Sequence, residues 1–116
     1  MNGDVVLVAP GTYTGEDNKN LQYDRKAIAV QCDGWPGDCV IDCEDSGRAF
    51  HFRFATPPQA RLDGFAVVGA NAPYPAGAIL IEDSAAPTIA NCIVQGNTCP
   101  GVYCYSAFPR IERCRI

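Results

Sequence analysis

The 116-residue sequence has one methionine, one tryptophan and one histidine, and it lacks several patterns whose absence narrows the possibilities. No run approaches the roughly 20 apolar residues that a membrane-spanning helix needs, so no membrane span is expected. The N-terminus shows no basic-then-apolar layout of a signal peptide. No window of 11 or more residues places apolar side chains at i, i+3, i+4 and i+7, which predicts little or no helix. There is no Cys-x-x-Cys pair, and the single His51 lies away from any cysteine motif, so no zinc site is expected. Nor is there a basic excess. Nine Lys and Arg stand against 13 Asp and Glu, a net charge of -4, which argues against nucleic acid as partner.

What is there suits one folded domain over residues 1–116, since 47% of residues are hydrophobic and the chain is too short for a second sizeable core. Seven cysteines is an odd number, so at least one thiol stays unpaired or pairs between chains. Residues 3–13 read as a strand stopped by Pro10-Gly11, and residues 14–25 as a polar loop. Residues 26–32 form the next strand, 32–39 a turn, and Val40-Ile41-Asp42-Cys43 a strand again. Residues 49–54 (AFHFRF) alternate apolar and polar, the mark of a strand with one buried face. A strand over residues 62–68 follows the Pro57-Pro58 turn, and Asn71-Ala72-Pro73-Tyr74-Pro75 is a further turn.

Residues 77–116 then say nearly the same thing twice. Pro87, Ile89 and Cys92 return as Pro109, Ile111 and Cys114, a step of 22 residues. Carried backwards, that step links Val6, Ile28 and Phe50; Val8, Val30 and Phe52; Val40 and Leu62; and Cys43 and Phe65, which are read in one column with Cys92 and Cys114. One period with matching roles at each step predicts a coiled stack, because each coil must set its apolar side chains above those of the coil below.

The stretches Gly3-Asp4-Val5-Val6-Leu7-Val8-Ala9-Pro10-Gly11-Thr12-Tyr13, Leu62-Asp63-Gly64-Phe65-Ala66-Val67 and Pro87-Thr88-Ile89-Ala90-Asn91-Cys92-Ile93-Val94, with Val40-Ile41-Asp42, resemble the right-handed parallel β-helix repeats of the pectin-lyase-like superfamily. The resemblance covers essentially the whole chain. It implies an all-β solenoid of about five coils, about 24 Å tall at the spacing of parallel strands. The superfamily's usual N-terminal capping helix and a C-terminal cap are not seen, which suggests a fragment, and the resemblance suggests a secreted or cell-surface address. The paired aspartates, Gly-His-Gly and Arg-Ile-Lys elements of the polygalacturonase branch are not present, so the fold is implied more firmly than any activity.

The same columns nominate functional residues. Leu7, Ala29, His51, Leu80 and Tyr103 are expected as an apolar ladder on the outside of one sheet, with Arg53 and Tyr105 beside it. Such a patch marks a partner surface. A lateral homodimer interface, a sugar-stacking face and coverage by the loop at residues 14–25 are its three readings. Arg53 is expected to face Glu82. A disulfide between Cys32 and Cys39 would close the turn they flank, and Cys43, Cys92, Cys114 and Cys104 are expected to point inward as small core residues. Asp42, Glu44 and Asp45 cluster in a turn that suits at most weak calcium binding, so no cofactor is expected otherwise. Asp42 and Asp63 miss the 22-residue step by one, and catalysis is not expected.

These readings favour a non-catalytic scaffold or interaction module that self-associates through open ends or the apolar sheet face. The alternative is a carbohydrate-binding or carbohydrate-active β-helix with a polysaccharide partner. A repeat that trimerises, as in adhesins and phage tails, is a third.

Overall fold

In the computed structural model, residues 4–15, 20–23, 27–72 and 77–116 are described. Their strands are β1 (Val5–Val8), β2 (Gly11–Tyr13), β3 (Leu21–Gln22), β4 (Ala29–Cys32), β5 (Cys39–Asp42), β6 (Phe50–Phe52), β7 (Arg61–Asp63), β8 (Phe65–Val68), β9 (Ile79–Glu82), β10 (Thr88–Ala90), β11 (Ile93–Val94), β12 (Val102–Tyr105) and β13 (Arg110–Glu112). No helix occurs among the described residues. All strand pairs are parallel, and every third strand is a neighbour. The first sheet runs β1-β4-β7-β10-β13, the second β11-β8-β5-β2 and the third β12-β9-β6-β3. The chain is a parallel β-solenoid. About five coils are reached only in the first sheet, since the other two hold four strands each.

The corners follow from backbone conformation. Gly64, Asn91 and Arg113 have φ of 83°, 54° and 53° and occupy the same corner, between the first and second sheets, in successive coils. Asp83-Ser84 and Ser106 do the same after the third-sheet strands. A left-handed residue turns an extended strand sharply without using length, which is why two- to four-residue strands can close a coil.

Uniform spacing is where the structure departs from the sequence reading. In the first sheet Val5 pairs with Ala29, Ala29 with Arg61, Arg61 with Thr88 and Thr88 with Arg110, steps of 24, 32, 27 and 22 residues. Only the last keeps the 22-residue step, because earlier coils carry longer corners. Val6 is therefore beside Val30, not Ile28, and Phe50 pairs with Leu21 and Ile79. Val8 is beside Cys32, and Val40 beside Ala66 in the second sheet, away from Leu62. Ile89 beside Ile111 stands as read. Residues 14–25 are not wholly loop, since Leu21–Gln22 pair with β6; two residues with one apolar side chain leave no pattern to see. Lys26, the centre of the turn at Pro73-Tyr74-Pro75 and part of the 14–25 segment lie outside the described residues.

The interior is built in rows. Val6, Val30, Leu62, Ile89 and Ile111 lie at one level of the first sheet. Phe50, Phe52, Ile79 and Ile81 fill the third sheet, and the Phe50 and Phe65 rings meet edge to face with centroids 5.9 Å apart. Tyr23 closes the row at Phe52, 4.4 Å between centroids, and its buried hydroxyl donates to Arg61 O. Buried aromatics of this kind each remove 150–250 Å² from water, the largest favourable term a short solenoid has.

Candidate functional site

The expected outer ladder divides between two sheets. Leu7 and Ala29 lie in β1 and β4 of the first sheet, whereas His51, Leu80 and Tyr103 form a register row of the third with Gln22. The physical reason is again corner length, which shifts the first coils against the later ones. The row is not an exposed apolar patch either. Leu80 is 1% exposed and His51 is buried, while Tyr103 and Tyr105 are exposed.

His51 Nε2 lies 2.6 Å from Glu82 Oε2, so the carboxylate read as the partner of Arg53 is engaged by the histidine. Arg53 donates from Nη2 to Gln22 Oε1 at 3.3 Å, and its guanidinium lies 4.4 Å from the Phe54 ring centre. The third sheet thus presents a short polar strip, Gln22, His51, Arg53 and Glu82, edged by Tyr105, which pairs with Glu82.

A second polar cluster lies on the outside of the first sheet, and the sequence reading missed it. Arg61 Nε donates to Asp63 Oδ2 at 3.0 Å, and Arg110 Nε to Glu112 Oε2 at 3.0 Å. Glu112 also lies 3.8 Å from Arg61 Nη2 and 3.5 Å from Arg113 Nη2. Asn91 joins the two levels, donating to Asp63 Oδ1 and accepting from Arg113 Nε. The signal was present: Arg61-Leu62-Asp63 and Arg110-Ile111-Glu112 each put opposite charges two residues apart, on one face of a strand. Thr88-Ile89-Ala90 between them carries no charge, which leaves room for Arg61 to reach across to Glu112.

Beside this cluster an open groove of about 370 Å³ is lined by Pro58, Gln59, Ala86, Thr88, Phe108 and Arg110, which lie at or just before the first-sheet strands of three successive coils. Thr88 Oγ1 is already bonded to Pro58 O, 3.2 Å, so the groove offers an exposed ring from Phe108, a guanidinium from Arg110 and an amide from Gln59.

Cys32 and Cys39 are joined by a disulfide across their turn, with 5.7 Å between Cα atoms. Gly64 packs against it: a Cβ there would lie 3.2 Å from Cys32 Cβ. Cys43, Cys92, Cys99, Cys104 and Cys114 form no disulfide. The cysteine column differs from the one read. Cys39 pairs with Phe65, and the pairing of Ile93 with Ala66 and with Arg115 sets Cys92 and Cys114 in the same row. Cys43 instead follows β5 at a corner, where its amide donates to Val68 O. Burial pushes the Cys92 thiol up to about 12. Cys104 shares its row with the fully buried Ile81 yet is exposed, because it belongs to the end coil.

Two carboxylates of the acidic turn are committed to backbone amides. Asp42 Oδ1 accepts from Glu44 N at 2.9 Å and Glu44 Oε1 from Gly15 N at 3.1 Å. No group of three or more His, Cys, Asp and Glu able to hold a metal ion gathers among the described residues, and no helix of the structure is long and apolar enough to cross a membrane. The chain matches no protein-family model, no curated protein and no solved structure.

Proposed function

We propose that the chain is a non-catalytic β-solenoid of pectin-lyase-like type, a scaffold that associates through the ends of its stack. The observation that carries this is the place where apolar surface is left in water. Ten large apolar side chains are exposed among the described residues, and eight belong to the end coils: Val5, Val6 and Leu7 at one end, and Tyr103, Tyr105, Phe108, Ile111 and Ile116 at the other. The same ends carry the unpaired edges of β1 and β13, and such edges template further pairing. A coil laid on either end covers the inward Val6 or Ile111 and satisfies the strand, while the outward Val5, Leu7, Tyr103 and Tyr105 are covered only on the side that faces it. The lateral face is a weaker candidate, because Leu80, the apolar centre of its row, is already buried. The non-catalytic part rests on engaged carboxylates, with Asp63 and Glu112 held by arginines, Glu82 beside His51, and Asp42 and Glu44 on backbone amides.

Light-scattering mass from micromolar to near-millimolar protein tests the scaffold reading, and a monomer at every concentration overturns it. Reducing-sugar release from pectins, alginates and neutral glucans, with and without calcium, is expected to be nil.

Carbohydrate binding is a second reading, favoured by the groove. Its volume falls within the roughly 300–1,000 Å³ of ligand sites, and an exposed ring beside a cation and an amide suits a sugar face with a polar rim. Titration with oligosaccharides against Phe108→Ala tests it: binding that survives the substitution places any sugar elsewhere.

A further inference from the structure

We infer that the disulfide-closed turn at residues 32–39 is a docking site for a basic partner protein, with Trp35 as its anchor. The indole receives an arginine or lysine side chain of that partner, and Asp33 and Asp38 hold the cation there. The inference goes beyond the scaffold reading, since it concerns the side of the stack and not its ends.

Tryptophan is ordinarily one of the more buried side chains, yet Trp35, the chain's only one, is 80% exposed. Its place along the stack does not explain this. The turn joins β4 to β5, and these strands pair with β1 and β2 of the coil before and with β7 and β8 of the coil after, so both neighbouring coils are present. Nor is the turn loose. The Cys32–Cys39 bond closes it, and its backbone is tied to both coils, Asp33 N donating to Val8 O at 2.8 Å and Gly37 N to Gly64 O at 2.9 Å. Within the turn Asp38 N donates to Trp35 O and Trp35 N to Asp38 Oδ2, each at 2.9 Å. A Cβ on Gly34 would lie 2.9 Å from Asp38 Oδ2 and 3.0 Å from Pro10 Cγ, so the base of the turn is filled. The backbone that carries the indole is thus fixed in advance, and a partner need not order it. Tryptophans presented in this way are the residues that dominate interfaces.

Charge selects the partner. Asp33 and Asp38 flank Trp35 in the turn, and both are exposed. Among the described residues no cation bonds either carboxylate and none lies over the indole. The chain shows such a pairing elsewhere, for Arg53 lies 4.4 Å from the Phe54 ring centre, whereas Trp35 carries the ring that attracts cations most and has none. A ring face with two carboxylates beside it draws a cation in two ways, through the ring quadrupole and through formal charge. The same charges oppose a phosphate-bearing partner, whether nucleic acid or an anionic lipid surface. A neutral sugar would stack on the ring and leave both charges unused.

The test reads tryptophan fluorescence of the full chain, which reports on Trp35 alone. The probe is a blocked arginine–glycine repeat peptide, titrated into the millimolar range. A saturable change is expected, and it weakens as salt rises from about 0.1 M to about 1 M, where the screening length falls from about 10 Å to about 3 Å. By calorimetry Trp35→Ala is expected to weaken binding about tenfold or more, the loss of an interface anchor. The Asp33→Asn, Asp38→Asn double variant, which keeps an acceptor for Trp35 N, is expected to weaken it about fivefold. Three results overturn the inference: no response to the arginine peptide, equal binding by Trp35→Ala, or equal binding of a peptide with glutamine in place of arginine. A neutral oligosaccharide that shifts the fluorescence where the arginine peptide does not would make the turn a sugar platform and overturn it too. Should a variant fail to fold, the wild type decides alone through the arginine and glutamine peptides. Light scattering on the same samples keeps the two readings apart, since a monomer that binds the arginine peptide sinks the scaffold and leaves the docking site standing.

Discussion

The inward row through the first sheet offers a graded test of the register. Leu62 lies between Val30 and Ile89 and is fully buried, so Leu62→Ala removes apolar atoms from a site enclosed above and below. Lost transfer energy and the cavity left behind together cost about 3 kcal/mol at such a site. Near this chain length that lowers Tm by roughly 12 °C, at about 4 °C per kcal/mol. Ile111 ends the same row with 41% of its surface in water. One side of it is open, so Ile111→Ala leaves no closed cavity, and the loss is the buried part of the transfer energy, about 1–1.5 kcal/mol. Urea unfolding at equal m-values measures both. At protein concentrations where the chain is monomeric, Leu62→Ala is expected to cost at least twice what Ile111→Ala costs. Equal losses would show that the two residues do not share an inward row, and would sink the register. Where copies stack, the cost of Ile111→Ala grows with protein concentration and that of Leu62→Ala does not.

Further expectations concern the cysteines. Thiol titration in denaturant without reductant is expected to find five reactive groups, and seven after reduction, because only Cys32 and Cys39 are bonded; seven without reduction refutes the bond. The bond links residues 7 apart. By loop entropy its removal in the Cys32→Ser, Cys39→Ser double variant costs about 2.5 kcal/mol in a urea melt, and no measurable loss would mean that the turn is preorganised without it. In the native protein Cys104, exposed in the end coil, is expected to alkylate before Cys92, which is buried; mass mapping of the first label decides. Cys92 also sets a pH dependence. Burial raises its folded pKa to about 12, above the ordinary thiol value of 9.0, so the folded state holds the proton more tightly. Its contribution is whole below about pH 9 and is lost as pH rises from there towards 12, a slope that Cys92→Ala is expected to flatten.

Strand identity was legible wherever the pattern was strong, as in residues 49–54, whose alternation gives buried Phe50 and Phe52. Stacking order was legible in the later coils, where His51, Leu80 and Tyr103, then Phe65, Cys92 and Cys114, and Ile89 and Ile111 stack as read, and was lost between the first ones. A residue offset sums three strands and three corners, and the corners vary. The turn closed by Cys32 and Cys39 and the segment from Arg53 to Ala60 lengthen the step from β4 to β7 to 32 residues, although the strands remain in register. Pairing responds to the level of each strand along the stack, not to the number of residues between strands. The charge cluster around Glu112 was hidden for a related reason. Its members come from β7, β13 and the corner residues Asn91 and Arg113, and only the true register places Arg61 within 3.8 Å of Glu112.

Leu80 poses the remaining question, because an outward-facing side chain on a solenoid is ordinarily wet and this one is 1% exposed. Its register neighbours are His51 and Tyr103, and the backbone at Gly77 approaches the second of these closely. A Cβ at Gly77 would lie 2.8 Å from Tyr103 Cβ and 3.0 Å from Ile79 O, and its φ of 113° is one that side chains rarely adopt. The backbone at Gly77 therefore lies against Tyr103 of β12, and glycine is what permits the approach. Gly77→Ala must both strain the backbone and push the Gly77 segment from β12. Gly96→Ala is the control, since Gly96 also has positive φ, 66°, but nothing lies within 4 Å of its Cβ position. The control is expected to cost about 1 kcal/mol, the penalty for a left-handed non-glycine residue. Gly77→Ala is expected to cost clearly more and to speed amide exchange in β9 and β12 together. If the two substitutions cost the same and exchange in β12 is unchanged, the close approach does not hold Tyr103 in place. Leu80 would then owe its burial to other neighbours, and the lateral face would regain its claim as an interface.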